Sequence, residues 1–235
     1  MGPGRVLELF GMPSAGKSTI ARAVAERLRA EGQEVYLPRV HNVHSGSRVP
    51  NTLSRLHMLA RETLLDPACK AKWLLTVRAT RQKSPADFRT VLENLVTVAK
   101  LAREAHRTPG IHVFDQGLAQ AIWSVGLSAQ QFDAASAVAQ LAAAVPLPHV
   151  LAVVSVSLGA VRERLAARPV VTSRLGHRLP GDPALLDRAS EVFDAVRAEF
   201  ERFAVKRGVD VITLRGDEPR DLDASIRCVV EALSA

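Results

Sequence analysis

The chain has 235 residues, 47% of them hydrophobic and 23% charged, with a net charge of +7; this fits one soluble globular domain with a well-buried core and room for a sizeable insertion, and excludes a disordered or fibrous chain. No apolar run approaches the ~20 residues of a membrane span. The two cysteines, Cys69 and Cys228, are far apart and outside any CxxC or Cys/His cluster, which excludes a disulfide framework or a zinc site built on them alone.

The positive charge is mostly arginine, the side chain suited to bidentate phosphate contacts. There is no block of consecutive basic residues and no basic–aromatic interleaving, so a small phosphorylated ligand is expected ahead of a nucleic-acid track. The opening MGPGRVLELFG runs directly into a strand and lacks the pattern of a signal peptide, so a cytoplasmic location with no membrane association is expected.

In chain order, residues 5–10 (RVLELF) read as the first strand, 34–38 as the second, 111–115 as the third, 149–156 as the fourth and 210–216 as the fifth. Several are apolar throughout, as strands buried on both faces of a parallel sheet are. Between them, residues 17–31 form an amphipathic pattern stopped by Gly32, and 52–82 and 86–106 read as two longer helices. An Ala-rich helix is expected over 128–144 with Ser128 as its N-cap, followed by helices at 157–167, 182–207 and 218–234. The order predicts an α/β fold with an open, mostly parallel five-stranded sheet flanked by helices. Residues 39–110 are then a helical insertion, and 168–181, rich in Arg, Pro and Gly, a loop.

The sharpest signal is GMPSAGKST, Gly11 to Thr19, placed after a strand and before a helix. The spacing Gly-x4-Gly-Lys-Ser is that of the phosphate-cradling P-loop. Gly11 and Gly16 are expected to take positive φ and let the backbone approach closely. The amides of Ser14, Ala15, Gly16, Lys17 and Ser18 then form an anion nest at a helix N-terminus. Lys17 can bridge β- and γ-phosphate oxygens, Ser18 can ligate Mg²⁺, and Thr19 adds a hydroxyl.

In IHVFDQG, Asp115 stands at the carboxyl end of a buried strand, where ligands sit in open α/β sheets. It can hold the Mg²⁺ shell, accept a proton from an attacking hydroxyl, or cap the next helix. Gln116 can hydrogen-bond an acceptor, Gly117 allows close approach, and Trp123 is either a stacking surface or a core side chain. Downstream, VRERLAARPVVTSRLGHR carries Arg164 and Arg168 at i, i+4, on one helix face, and Arg174. Arginines on a closing flap can neutralise charge on a transferring phosphoryl group.

Together GMPSAGKST, VFDQG and RERLAAR…SR resemble the P-loop nucleoside and nucleotide kinases, nearest to the thymidylate-kinase-like proteins. The resemblance spans most of the chain as an architecture. It implies that Gly11, Gly16, Lys17, Ser18 and Thr19 bind donor ATP, with Mg²⁺ beside Ser18 and Asp115. It also implies that Arg164, Arg168 and Arg174 belong to a lid, and that the insertion forms the acceptor pocket. Two positions depart from the family pattern: Gln116 replaces an arginine after the acid, and the stretch after the second strand offers Arg39 and His41 where an acid is usual. Both leave the acceptor unassigned. On the acceptor side Arg39 is a candidate contact, as are Arg78 and Arg81, which are expected to share a helix face; each can equally be solvated surface. The resemblance further implies a homodimer packed through helices beside the acceptor site.

The expected function is therefore an ATP-dependent phosphotransferase that moves the γ-phosphate to a small acceptor such as a nucleoside or nucleotide. Two other readings stand beside it. One is a nucleotide-dependent switch, without an NKxD-type guanine motif; the other is a kinase acting on nucleic-acid ends.

Overall fold

The computed structural model describes residues 4–38, 67–167, 182, 184–217 and 221–234. Strand β1 (Arg5–Gly11) lies at the centre of the sheet, hydrogen-bonded in parallel to β3 (Ile111–Phe114) on one edge and β4 (Val150–Ser155) on the other. β2 (Val35–Tyr36) pairs outside β3, and β5 (Asp210–Arg215) outside β4. The result is the expected five-stranded parallel sheet, in the order β2-β3-β1-β4-β5. From β1 the chain runs one way to β2 and β3 and the other way to β4 and β5. The topological switch of the sheet thus lies at the carboxyl end of β1, where open α/β sheets bind ligands.

Alternation along β1 sends Leu7 and Leu9 to one face and Val6, Glu8 and Phe10 to the other. On the first face Leu7 and Leu9 pack against Ile20, Val24 and Leu28 of α1 (Lys17–Ala30) and Val229 of α8 (Asp221–Ser234). α1 ends as its pattern predicts, with Gly32 at φ 80° and its N–H donating to Arg29. On the second face Phe10 joins a larger core with α3 (Pro85–Arg107), α4 (Leu118–Leu127), α5 (Ala134–Leu141) and α7 (Leu185–Val205). α2 (Pro67–Ala79) packs against α3 and α5, and α6 (Leu158–Ala166) follows β4.

Two helical expectations need correction. The Ala-rich segment does not start at Ser128. Ser128 closes α4, its hydroxyl donating to the Ser124 carbonyl at 2.9 Å, and α5 starts after Asp133, whose carboxylate accepts from the Ala135 and Ser136 amides. Serine serves at either end of a helix, so only the hydrogen bonds decide. Of the helix expected over 52–82, the described part is Pro67–Ala79. Beyond it Arg81 turns into the left-handed region at φ 49°, so Arg78 and Arg81 do not share a helix face.

Gly11 ends β1 opposite Val154 of β4. Its φ is not positive, contrary to expectation. The glycine is needed because a Cβ there would stand 2.8 Å from the Val154 carbonyl oxygen and 3.2 Å from its Cβ. Gly11→Ala should therefore push β1 from β4 and cost about 1–3 kcal/mol, measured as a lowered urea midpoint with an unchanged m-value.

Candidate active site

The loop from Gly11 to Lys17 carries the geometry an anion site requires. Gly16 sits at φ 95° as the N-cap of α1, and Ser14 takes φ 67° although it is not glycine. The left-handed conformation costs a non-glycine residue about 1–2 kcal/mol, so the surrounding loop over-determines Ser14. The first turn of α1 has neither a side-chain cap nor an acidic residue. Its amides and the positive end of its dipole are thus left for a bound anion.

Lys17 is buried, and its Nζ lies inside the loop, donating to the carbonyls of Gly11 at 2.7 Å and Met12 at 2.9 Å. At the exposed start of α1, the Ser18 hydroxyl donates to Asp115 Oδ2 at 2.8 Å. Asp115 is held there because β3 pairs directly with β1, Glu8 opposite Phe114, and the chain turns just beyond. Ser18 and Asp115 are hard oxygen donors beside the N-terminus of α1, which has no side-chain cap. Mg²⁺ is held in this way, by one or two protein oxygens completed by phosphate and water. Among the described residues there is no cluster of three His, Cys, Asp or Glu that could hold a metal without such help.

One residue of this region is not marked by any motif. Glu8 lies in the middle of β1 and is 3% exposed. Its carboxylate accepts from the Ala119 amide at 2.7 Å, and the neighbouring amides of Leu118 and Gln120 also favour its charged form, at the N-terminus of α4. Burial pushes its pKa up to about 7, and the three amide donors oppose that rise without cancelling it. The available signal was a lone carboxylate at an inward position of an otherwise apolar strand.

The remaining expected residues separate. Gln116 is half-buried in the turn after Asp115. Trp123 is a core side chain, its indole N–H donating to the Ala189 carbonyl at 3.0 Å, so it offers no stacking surface. Arg164, expected in the lid, lies on α6 and bonds to backbone. Its Nη2 donates to the carbonyls of Gly216 at 2.7 Å and Asp217 at 3.0 Å, tying α6 to the segment after β5. Asp217 returns the tie by accepting from the Ser157 amide at 2.9 Å, and the Ser157 amide and hydroxyl hold its carboxyl below the usual carboxylate range. Arg78 and Arg81 are exposed. Arg39, Arg168 and Arg174 lie outside the described residues.

No family model matches the sequence, and no curated protein sequence matches it. Solved structures do match, over nearly the whole chain. Deoxyadenosine kinase from M. mycoides with bound dATP has a TM-score of 0.57 at 14% identity, with 98% of this chain and 100% of that one covered. Thymidylate kinase from Ehrlichia chaffeensis has a TM-score of 0.52 at 15% identity, with 98% and 100% covered. The fold is that of the P-loop nucleoside and nucleotide kinases. A third structure, the M. mycoides deoxyadenosine kinase with the products dCMP and a flexible dCDP, has a TM-score of 0.51 at 14% identity and 97% and 98% coverage. At such identities the likeness to these kinases speaks for the fold, and the chemistry must come from this chain's own residues.

Glu8 gives a pH test. Because its folded pKa is raised from 4.5 to about 7, the stabilisation from its protonated form is complete below pH 4.5 and is lost as pH rises through 7. Against Glu8→Gln, which does not titrate, the wild type should lose about 3 kcal/mol of relative stability between those limits. Paired denaturant titrations at pH 4.5, 6 and 8 measure that difference.

Proposed function

We propose that this protein is an ATP-dependent phosphotransferase acting on a small hydroxylated or phosphorylated acceptor, a nucleoside or a nucleotide. The observation that carries this reading is the placement of Lys17 inside one glycine-bounded loop, with the Ser18–Asp115 pair at the start of the helix that follows it. Support for the acceptor class comes from the neighbouring folds, which are kinases of deoxyadenosine and thymidylate.

In this reading the amides from Ser14 to Ser18 and the N-terminus of α1 bind the donor phosphates. Thr19, in the first turn of α1, adds its hydroxyl to the donor site. Lys17 exchanges its two carbonyl partners for β- and γ-phosphate oxygens. Ser18 and Asp115 hold Mg²⁺, which when bound supplies positive charge to the same oxygens. The 2.8 Å Ser18–Asp115 contact favours the metal side for Asp115 over a role as acceptor base. Gln116, next along the turn, and Arg39, which lies outside the described residues, are acceptor contacts in this reading. Arg168 and Arg174 supply the charge that closes over the transferring group, while Arg164 holds the helix that leads to them.

Incubation with γ-labelled ATP and Mg²⁺ against nucleosides, nucleoside monophosphates, sugars and short oligonucleotides tests this. Label should pass to a nucleoside or nucleotide, and Lys17→Ala should lower the rate at least about 10²-fold, as loss of a charge-stabilising donor does. Asp115→Asn should lower it and raise the Mg²⁺ requirement. Label appearing only as free phosphate would support the switch, and salt-sensitive labelling of oligonucleotides a nucleic-acid kinase.

A further inference from the structure

Helix α4 starts without a cap of its own. Gly117 occupies its N-cap position with no side chain to offer, and the first turn contains no acid. The Ala119 amide donates instead to Glu8, which reaches across from β1 and is 111 residues away in sequence, and the Leu118 and Gln120 amides stand beside the same carboxylate. The fit leaves no slack, since a Cβ built on Gly117 would collide with the Glu8 carboxyl, and the three nearest atoms it would meet are all Glu8 atoms. Glu8 stands three residues before Gly11, on the strand that delivers the phosphate loop. Gly117 stands two residues after Asp115, on the turn that delivers the carboxylate.

We propose that Glu8 is a positioning residue for the metal site, tying the Asp115–Gly117 turn to β1 and so setting where Asp115 stands relative to Ser18. It touches neither phosphate nor metal and acts through the α4 amides. The proposal rests on the reading of Ser18 and Asp115 as the Mg²⁺ pair. The plainer alternative is that Glu8 only stabilises the helix.

A double variant separates the two. Gly117 has φ −128°, open to any residue, so a serine there can cap α4 from within once the Glu8 carboxyl is gone. Glu8→Ala/Gly117→Ser restores the cap and leaves the turn untied from β1. Wild type, Glu8→Ala, the double variant and Asp115→Asn are compared as full-length chains by thermal melting and by calorimetric titration with ATP, in EDTA and over a range of Mg²⁺ concentrations. The melting temperature should fall in Glu8→Ala and recover in the double variant. Apparent Mg²⁺ affinity with ATP present should be weakened in both, by about 10- to 100-fold, as when the partner that orients a metal ligand is lost. ATP affinity in EDTA should stay at the wild-type value, because the loop amides and Lys17 are unaffected.

Recovery of both melting temperature and Mg²⁺ affinity in the double variant would overturn the proposal, leaving Glu8 a helix cap only. So would wild-type Mg²⁺ affinity in Glu8→Ala. If Asp115→Asn binds Mg²⁺ as wild type does, or if Mg²⁺ does not affect ATP binding to the wild type, the Ser18–Asp115 pairing itself falls and takes the proposal with it.

Discussion

The site is built outward from β1, a strand with no freedom to move. Both of its edges carry parallel ladders, and both of its faces are covered by helices. Shifting it by one residue would break two ladders and turn Leu7 and Leu9 to the wrong side. A glycine loop on such a strand starts from a fixed point. The same rigidity lets Ser14 hold a left-handed backbone that would relax elsewhere.

The region beyond β4 and β5 is secured separately. The Gly216 amide donates to the Ser155 carbonyl at 3.1 Å, and Gly216 is packed so closely on the Gly11–Lys17 loop that a Cβ there would stand 3.1 Å from the Ala15 carbonyl oxygen. Arg164 and Asp217 then bind α6 to this segment at two points. The helix leading to the Arg-rich stretch is thus fixed to the wall of the loop it would serve. An arginine spacing that suggests a flap was, at Arg164, the spacing of an anchor.

What the sequence revealed depended on how local the cause was. GMPSAGKST is legible because its conformational demands fall within nine consecutive residues. The strands are legible because burial on both faces writes apolar runs, and the sheet has the five expected members. The boundary between α4 and α5 was not, since Ser128 and Asp133 are both good caps and an Ala-rich run fits a helix in either frame. Arg81 falls outside its helix because the chain turns at Ala79, with no glycine or proline there to announce it. Glu8 was the largest omission. Its partners lie beyond Gly117, and nothing in a seven-residue strand says which distant amides its carboxylate will meet.

The contacts of Lys17 bear on which anions the loop would admit under the proposed function. Its ammonium is already satisfied by two carbonyls, so a ligand gains only the difference between those bonds and its own. A single, diffuse charge improves little on two well-placed carbonyl dipoles. Adjacent phosphates, offering several charged oxygens at once, would improve on them, because each carbonyl is a neutral acceptor and each phosphate oxygen carries charge. If the loop binds phosphate as proposed, holding its own lysine would set an entry threshold against the simple anions that a helix N-terminus otherwise collects.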